Sequence, residues 1–220
     1  MKHNLIYRVL TIFWKYVLAS VYFYLGNILA IILLLFVPLT WISLPAYAVA
    51  LLLAFPALGA LADLLKDSHW SIGFIAGLKQ YYQNWRSNCK NYLKIGVLYA
   101  FIFVFLFLDM YAVNAIMKSS LFTPVVLIVV MLALISLGWI VAIQSYFDID
   151  VHNSLRMMAY ALPHYAVHSL LIIALLFLLY MSLSFIPQFM VFIIAPVALE
   201  GLIVVTKKPL GAVRAQLHFE

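Results

Sequence analysis

The sequence predicts an all-α protein, a polytopic transmembrane bundle of about six helices with an interfacial amphipathic helix on the cytoplasmic side. Of its 220 residues, 68% are hydrophobic and 9% are charged, whereas a soluble domain is about 45–50% apolar and about 25% charged. The apolar residues form runs long enough to cross a bilayer as helices, which takes about 20 residues. The apolar–polar alternation of membrane β-strands is absent. We therefore expect a single integral membrane domain over residues 1–220.

Six apolar runs define the predicted spans. They lie at roughly 17–40, 44–65, 95–117, 121–147, 168–186 and 188–206. Pro38, Pro45 and Pro187 mark two of the short hinges between these runs, because proline interrupts helix hydrogen bonding and restricts the residue before it. A third hinge contains Lys118. For residues 17–65, one span followed by a re-entrant segment is the alternative to two full spans.

The distribution of Lys and Arg predicts the orientation. The chain carries 13 basic and 7 acidic residues, a formal charge of +6, and placing the three hinges outside leaves only Lys118 on that side. The other basic residues lie on the proposed cytoplasmic side: Lys2, Arg8, Lys15, Lys66, Lys79, Arg86, Lys90, Lys94, Arg156, Lys207, Lys208 and Arg214. Because basic residues accumulate in cytoplasmic connections, we expect both termini in the cytoplasm. The charge is also an attraction to anionic lipid, and no nucleic-acid binding is expected.

The N-terminal part resembles a signal peptide but is predicted to stay attached. Basic residues precede the first apolar run, and residues 46–48 (AYA) resemble a cleavage site. The apolar region of a signal peptide is about 7–15 residues long, and this one is far longer, so we expect an uncleaved signal-anchor helix. Trp14 and Trp41 lie near opposite ends of the first span, as is typical of membrane–water interfaces.

The first polar connection, residues 70–94, predicts an amphipathic helix at the membrane surface. At 100° per residue, its basic residues fall within about 80° of one another. They are Lys79, Arg86, Lys90 and Lys94. The opposite face carries Phe74, Tyr81, Trp85 and Tyr92. An interfacial helix that packs the bundle with its aromatic side toward the membrane is one interpretation, and a docking surface for a cytoplasmic partner is the other.

The second polar connection, residues 148–167, carries acidic and histidine side chains. They are Asp148, Asp150, His152, His164 and, at the start of the next span, His168. The Asp-x-Asp pair resembles a metal–nucleotide motif of some glycosyltransferases, and His at i and i+4 can share a metal ion. However, Pro163 separates the Asp pair from the His pair, and no Glu follows His164 as a metalloprotease motif requires. We therefore expect a solvated loop with structural histidines and no metal site.

Dipeptides at similar intervals suggest an internal repeat. Leu58–Gly59 is followed 79 residues later by Leu137–Gly138, and Leu78–Lys79 is followed 77 residues later by Leu155–Arg156. The second span, its connection and the third span would then correspond to the fourth span, its connection and the fifth. Parallel repeats occur in transporters. The alternative is that no repeat exists, because any chain whose spans cross inward, outward and inward again gives this pattern.

Polar residues inside the predicted spans are candidates for function, because a charge at membrane depth is costly unless it is paired or wetted. Asp109 in the third span and Glu200 in the sixth are candidates for proton or cation coupling. The alternative is that each is protonated, or hydrogen-bonded to a neighbouring helix or a lipid headgroup. Asn27 and Gln144 are uncharged and more typical of hydrogen bonds between helices.

The sequence shows no recognisable catalytic set. Asp63 and Asp67 flank Lys66 at a span end, where local ion pairing explains them. Cys89 is the single cysteine, so no intrachain disulfide can form. None of the eight glycines belongs to a phosphate-binding G-x-G-x-x-G motif, and we expect no cofactor.

Two segments of the first half resemble the YesL-like family of bacterial integral membrane proteins, a domain of unknown function. They are residues 23–29 (FYLGNIL) and 55–61 (FPALGAL), followed by Trp70 and an amphipathic helix that leads to Asn91 and Tyr92. The family typically opens its first span with an Asn-Leu-Leu-like segment, which residues 27–29 match. It also has a Pro-Ala-Thr-Ala-Ala-like segment, in place of which this chain has Pro56, Ala57, Leu58, Gly59 and Ala60.

The resemblance implies a bacterial cytoplasmic membrane protein and no particular reaction. It covers the first half of the chain, and the rest matches in span pattern only. Family members often accompany carbohydrate-uptake systems, which implies an accessory role in transport. The small residues Ala57, Gly59 and Ala60, with Pro56, form a helix-packing motif in either case, because small side chains let helix backbones approach closely.

The sequence leaves three functional hypotheses. The first is a non-enzymatic accessory or regulatory component associated with carbohydrate transport, with the basic helix as its contact surface. The second is a small autonomous secondary transporter that uses Asp109 or Glu200. The third and least favoured is a membrane enzyme acting on a lipid-linked substrate through Asp148, Asp150 and His152. The expected partners are the lipid bilayer and transport-system proteins, and a monomer and a dimer fit equally well.

Overall fold

The computed structural model describes residues 5–67, 73–113, 122–147 and 149–217, and within these ranges the side chains of all but residues 5, 6, 8, 187–192 and 215–217. The described residues form eight helices and no strand, which confirms the all-α prediction. The helices are α1 (Leu5–Gly26), α2 (Ile28–Phe36), α3 (Leu44–Lys66), α4 (Phe74–Tyr111), α5 (Thr123–Tyr146), α6 (Val151–His164), α7 (Ala166–Phe185) and α8 (Pro187–Leu217). Five of them, α1, α3, α4, α5 and α7, are long and apolar enough to cross a membrane.

The first predicted span, 17–40, is built from two helices. Helix α1 begins well before residue 17 and ends at Gly26, and α2 follows after a break at Asn27. Helix α2 has nine residues, or about 14 Å of helix, which is too short to cross a hydrocarbon core of about 30 Å by itself. Helix α1 therefore begins before the predicted span, and the helix of that span is broken in the middle.

Contacts with α3 show that α1 and α2 together run antiparallel to α3. A Cβ atom at Gly26 would lie 3.4 Å from that of Ala57. Further along, the Tyr47 hydroxyl lies within hydrogen-bonding distance of the carbonyl oxygens of Val37 (2.6 Å) and Leu33 (3.0 Å). Residues late in α1 and α2 thus meet residues progressively earlier in α3, as expected for two spans that pack side by side.

The second half of α4 packs antiparallel to α3. The Asn88 side-chain amide donates to the Asp63 carboxylate at 2.5 Å. One turn further, the Tyr92 ring covers Gly59, where an added Cβ would lie 2.6 Å from a ring carbon. The predicted third span, 95–117, corresponds to this half as far as Tyr111, and residues 114–121 lie outside the described residues.

Helix α4 bends between Tyr81 and Asn88. The Tyr81 hydroxyl donates to the carbonyl of Ala57 at 3.1 Å, although Asn88 contacts Asp63. In a straight antiparallel pair, a rise of 1.5 Å per residue would separate Tyr81 and Ala57 by roughly 20 Å along the axis. A tyrosine side chain cannot bridge that distance. Within this segment the Ser87 hydroxyl donates to a carbonyl one turn back (2.9 Å), an arrangement that favours bending of a helix.

Because of this bend, the first half of α4 lies across α1 and α3. The Tyr22 hydroxyl of α1 donates to the Phe74 carbonyl at 2.9 Å, and the Gln80 side-chain amide donates to Asp67 at 2.8 Å. The amphipathic helix predicted at 70–94 is therefore a helix from residue 74, continuous with the span that follows. Residues 70–72 lie outside the described residues.

Helix α5 agrees closely with the predicted span 121–147 and joins the two halves of the bundle. Tyr99 of α4 and Ser136 share a hydrogen bond of 2.9 Å. On another side, the indole N–H of Trp139 donates to the Ser169 hydroxyl of α7 at 3.0 Å. Both contacts are buried at least in part, so two hydrogen bonds between helices fix α5 against its neighbours.

The second polar connection forms a helix, although a loop was predicted there. Helix α6 has 14 residues and begins at the N-cap Asp150, whose carboxylate accepts from the backbone N–H of His152 at 3.3 Å. Its buried residues Ser154 and Ala161 lie two turns apart and face the bundle. The loop prediction was wrong because this capping and this two-turn spacing outweigh Pro163, which lies in the last turn.

Helix α8 begins immediately after α7 and returns alongside it. A Cβ at Gly201 would lie 2.8 Å from the Leu175 side chain of α7, and a Cβ at Gly138 of α5 would meet both Ile172 and Leu202 at 3.2–3.3 Å. The predicted sixth span, 188–206, lies inside α8, which is 31 residues long. The side chains of residues 187–192 lie outside the described ones.

These antiparallel contacts determine which connections share an end of the molecule. Helix α6 lies between the end of α5 and the start of α7 and contacts α4, while α8 returns alongside α7. The α3–α4 connection, α6 and the end of α8 therefore lie at one end, and the turns near residues 38–43 and 186 lie at the other. The exposed residues Lys79, Arg156 and Lys207 all belong to the first end, as the predicted topology requires.

The burial pattern matches the suggested internal repeat only in part, because buried residues such as Tyr81 and Tyr99 have no buried counterpart 77 positions later. Some residues 77 positions apart are buried alike in the two halves: Gly77 with Ser154, Tyr92 with Ser169, and Ile95 with Ile172. The halves differ in continuity, because α4 passes without interruption from its amphipathic part into the span, whereas α6 and α7 are separated at Tyr165.

Candidate functional site

The helix break at Asn27 is buried where α1, α3 and α4 meet. Asn27 is 7% exposed, and its side-chain amide donates to the Phe23 carbonyl of its own helix at 2.8 Å. Its side-chain oxygen has no hydrogen-bond partner among the described residues, and neither has the hydroxyl of Ser20, two turns earlier. Asn27 was predicted to bond another helix, and that prediction was wrong. Gln144 does so, since its amide donates to Ser154 of α6 at 2.6 Å.

The motif of Pro56, Ala57, Gly59 and Ala60 packs as predicted. All four residues are buried in α3. Pro56 has no N–H to donate to the carbonyl of Leu52, and a Cβ at Gly96 of α4 would lie 3.3 Å from that carbonyl oxygen. The Leu52 carbonyl, which lacks a hydrogen bond from residue 56, therefore packs closely against α4.

Polar side chains from α3 and α4 form a cluster next to this motif. Asp63 pairs with Lys66 at 3.6 Å and also accepts from Asn88 at 2.5 Å. Asp67, at the end of α3, accepts from Gln80. The local ion pair was predicted, but the two amides on α4 were not, because no local pattern relates them to residues of α3. The cluster joins the amphipathic half of α4 to the end of α3.

The basic face of α4 is exposed over its whole length. Its residues are Lys79, Arg86, Lys90 and Lys94. On the opposite side Tyr81 and Tyr92 are 3% and 2% exposed, and Trp85 is half-buried and stacked on Tyr82 with ring centroids 6.1 Å apart. The predicted separation of faces is confirmed, but Tyr81 and Tyr92 pack on protein. Phe74 is the exception, with a side chain 49% exposed.

The two candidate intramembrane carboxylates lie on outward faces. Asp109 is exposed and lies in the last turn of α4, which ends at Tyr111. Glu200 is exposed on α8, while its neighbours Leu199 and Leu202 are buried. The structure therefore does not bring these carboxylates together, and each faces away from the protein core.

Three of the acidic and histidine residues of the second connection stabilise the fold. Asp150 caps α6. His164 stacks on Tyr160 with centroids 4.7 Å apart, and His168 lies edge-on to Tyr165 at 6.0 Å. No group of three or more His, Cys, Asp or Glu side chains that could hold a metal ion occurs among the described residues, which exclude Asp148.

Comparison of the chain with protein-family models, with curated proteins and with solved structures finds no match. The resemblance to the YesL-like family therefore stays a prediction that rests on the residues of the first half.

Proposed function

We propose that this chain is a non-enzymatic accessory or regulatory component of a membrane transport system, and that the basic face of α4 is its contact surface. The observation that carries the proposal is the exposure of Lys79, Arg86, Lys90 and Lys94 on a helix whose other side is fixed in the core. A charged surface held on a rigid support is suited to recognise a partner, because little conformational entropy is lost on binding.

The chemistry of this face favours an acidic partner surface at the cytoplasmic side of the membrane. Its four cations point away from the bundle, and no described acidic side chain forms an ion pair with any of them. Complementary charge speeds association and excludes partners of the wrong sign. Carbohydrate is the proposed cargo of the transport system, and this part of the proposal depends on the family resemblance alone.

Affinity purification from native membranes in a mild detergent tests the proposal, with mass spectrometry of the proteins that co-purify. We expect a transport ATPase, a permease or a solute-binding protein in stoichiometric amount. The double variant Lys79→Glu, Arg86→Glu should lose this partner while still inserting in the membrane. The matched control, Lys207→Glu with Lys208→Glu, makes the same change of charge on exposed residues of α8 and should keep it.

The autonomous transporter is the alternative outcome of the same experiment. Recovery of this chain alone, repeated under crosslinking, would contradict the accessory role and direct attention to uptake by the protein in liposomes. In that case Asp109→Asn and Glu200→Gln are the informative variants. The outward positions of both carboxylates lead us to expect that neither change alters partner recovery.

A further inference from the structure

Two basic residues and a row of apolar residues share one stripe of the second half of α4. At 100° per residue, Lys90, Lys94, Val97, Phe101 and Leu108 fall within about 60° of one another. Both lysines are exposed. Since helix side chains lean toward the N-terminus of their helix, the two ammonium groups lie at the membrane-surface end of the stripe and the apolar side chains continue below them.

The apolar part of this stripe is one wall of a groove. The groove has a volume of about 430 Å³, and every residue that lines it is apolar. Leu44, Ala48 and Leu52 of α3 form the opposite wall, and Trp41 lies at the end near Leu108. Val97 follows Lys94 by three residues, so about 5 Å of helix rise separates the second lysine from the nearest residue of α4 that lines the groove.

We propose that the groove and the two lysines form a binding site for an anionic phospholipid. One acyl chain lies in the groove between α3 and α4, and the phosphate of the headgroup lies against Lys90 and Lys94. An extended polypeptide segment is a poor occupant at this depth, because its backbone polar groups would find no partners among apolar side chains. An acyl chain has no such groups to satisfy.

The charge of the site selects the headgroup. Among the described residues no acidic side chain forms an ion pair with Lys90 or Lys94, so their charges are available to a ligand. A basic residue near an anionic lipid surface contributes about a factor of five in affinity. The pair should therefore prefer a phospholipid of net charge −1 over a zwitterionic one by about 25-fold.

Native mass spectrometry of the purified protein with an equimolar mixture of dioleoyl phosphatidylglycerol and dioleoyl phosphatidylcholine tests the headgroup. The expected result is an excess of phosphatidylglycerol adducts of about 25-fold, reduced to near one in Lys90→Gln, Lys94→Gln. The matched control Lys79→Gln, Arg86→Gln removes the same charge from the first half of α4 and should keep the preference. Equal adducts of the two lipids on the unaltered protein would overturn the proposal without any variant.

A second pair of variants tests the groove. Ala48→Phe fills it and should reduce the adducts of both lipids, whereas Ala46→Phe, at an exposed position that does not line the groove, should not. Unchanged adducts in Ala48→Phe, or equal loss of preference in both charge variants, would show a general attraction to the basic face and contradict this site. With Lys90 and Lys94 in contact with lipid, Lys79 and Arg86 are the part of the basic face that meets the protein partner. Partner docking is tested at these two residues alone, so the two proposals can fail separately.

Discussion

Glycine residues at helix contacts set how closely the spans of this bundle approach. An added Cβ atom would lie 3.3 Å or less from an atom of another helix at each of four positions: Gly59, Gly96, Gly138 and Gly201. Gly211 differs, because nothing lies within 4 Å of a Cβ at that position. Helix propensity favours alanine at every one of these positions, so their effects on stability depend on packing.

Gly59→Ala should destabilise the protein. Its Cβ would lie 2.6–2.8 Å from ring carbons of Tyr92, which is 2% exposed and cannot move away. Overpacking of a core costs about 1–3 kcal/mol, which exceeds the helix-propensity gain of about 1 kcal/mol. A lower midpoint of thermal unfolding in detergent, followed by tryptophan fluorescence, is the expected result.

Gly211→Ala is the matched control for this variant. It makes the same change inside α8 at an exposed position, and the midpoint should stay the same or rise, by the equivalent of about 0.5–1 kcal/mol. Adding Tyr92→Leu to Gly59→Ala should recover part of the loss. If Gly59→Ala and Gly211→Ala shift the midpoint equally, the close contact with Tyr92 does not exist.

At the scale of elements, the break at Asn27 and the bend in α4 bring α1, α3 and α4 to one point. Gly26, Ala57 and Tyr81 meet there. A straight helix of 38 residues would be about 57 Å long, well beyond the thickness of a hydrocarbon core of about 30 Å. The bend instead turns the basic first half of α4 across the bundle. Tyr81 and Tyr92 of the aromatic face are consequently covered by protein.

A cysteine pair tests this meeting point. In a Cys89→Ser background, Gly26→Cys with Ala57→Cys should form a disulfide on mild oxidation. The Cβ atoms at these positions lie 3.4 Å apart, close to the 3.5–4.5 Å typical of disulfides. Gly26→Cys with Ala60→Cys, one turn along α3, is the control and should stay reduced. Maleimide labelling before and after reduction gives the readout, and crosslinking of both pairs alike would contradict the packing of α1 on α3.

At the scale of the whole molecule, antiparallel packing brings the described basic residues to one end. The contacts of α3 with α4 and of α7 with α8 each reverse the chain direction. The amphipathic half of α4 and all of α6 therefore lie at the same end as the C-terminal part of α8.

Labelling of single cysteines in intact bacterial cells with a membrane-impermeant maleimide tests the orientation. In the Cys89→Ser background, Thr40→Cys and Phe185→Cys should react directly, because both positions are exposed at the end where none of the described basic residues lies. Lys79→Cys and Lys207→Cys should react only after the membrane is permeabilised, since basic connections stay in the cytoplasm. Direct reaction of Lys79→Cys would reverse the proposed orientation.

Local patterns in the sequence predicted much of the fold but less of the candidate site. The exposed positions of Lys79, Arg86, Lys90 and Lys94 follow from helical periodicity, and the four-residue motif around Pro56 packs as its small side chains require. The loop expected at 148–167 is a helix. Its N-cap Asp150 and the buried pair Ser154 and Ala161 were present in the sequence, but the Asp and His residues were weighed as metal ligands.

The sequence by itself determined the fold class and the separation of charged from apolar faces, because both depend on composition and on spacing within one helix. The tertiary structure decided which neighbour each face meets. It placed Tyr81 and Tyr92 against α3 instead of lipid, turned Asp109 and Glu200 outward, and gave Asp63 a partner on α4. Contacts between distant residues depend on how helices bend and pack, and no spacing along a single helix contains that information.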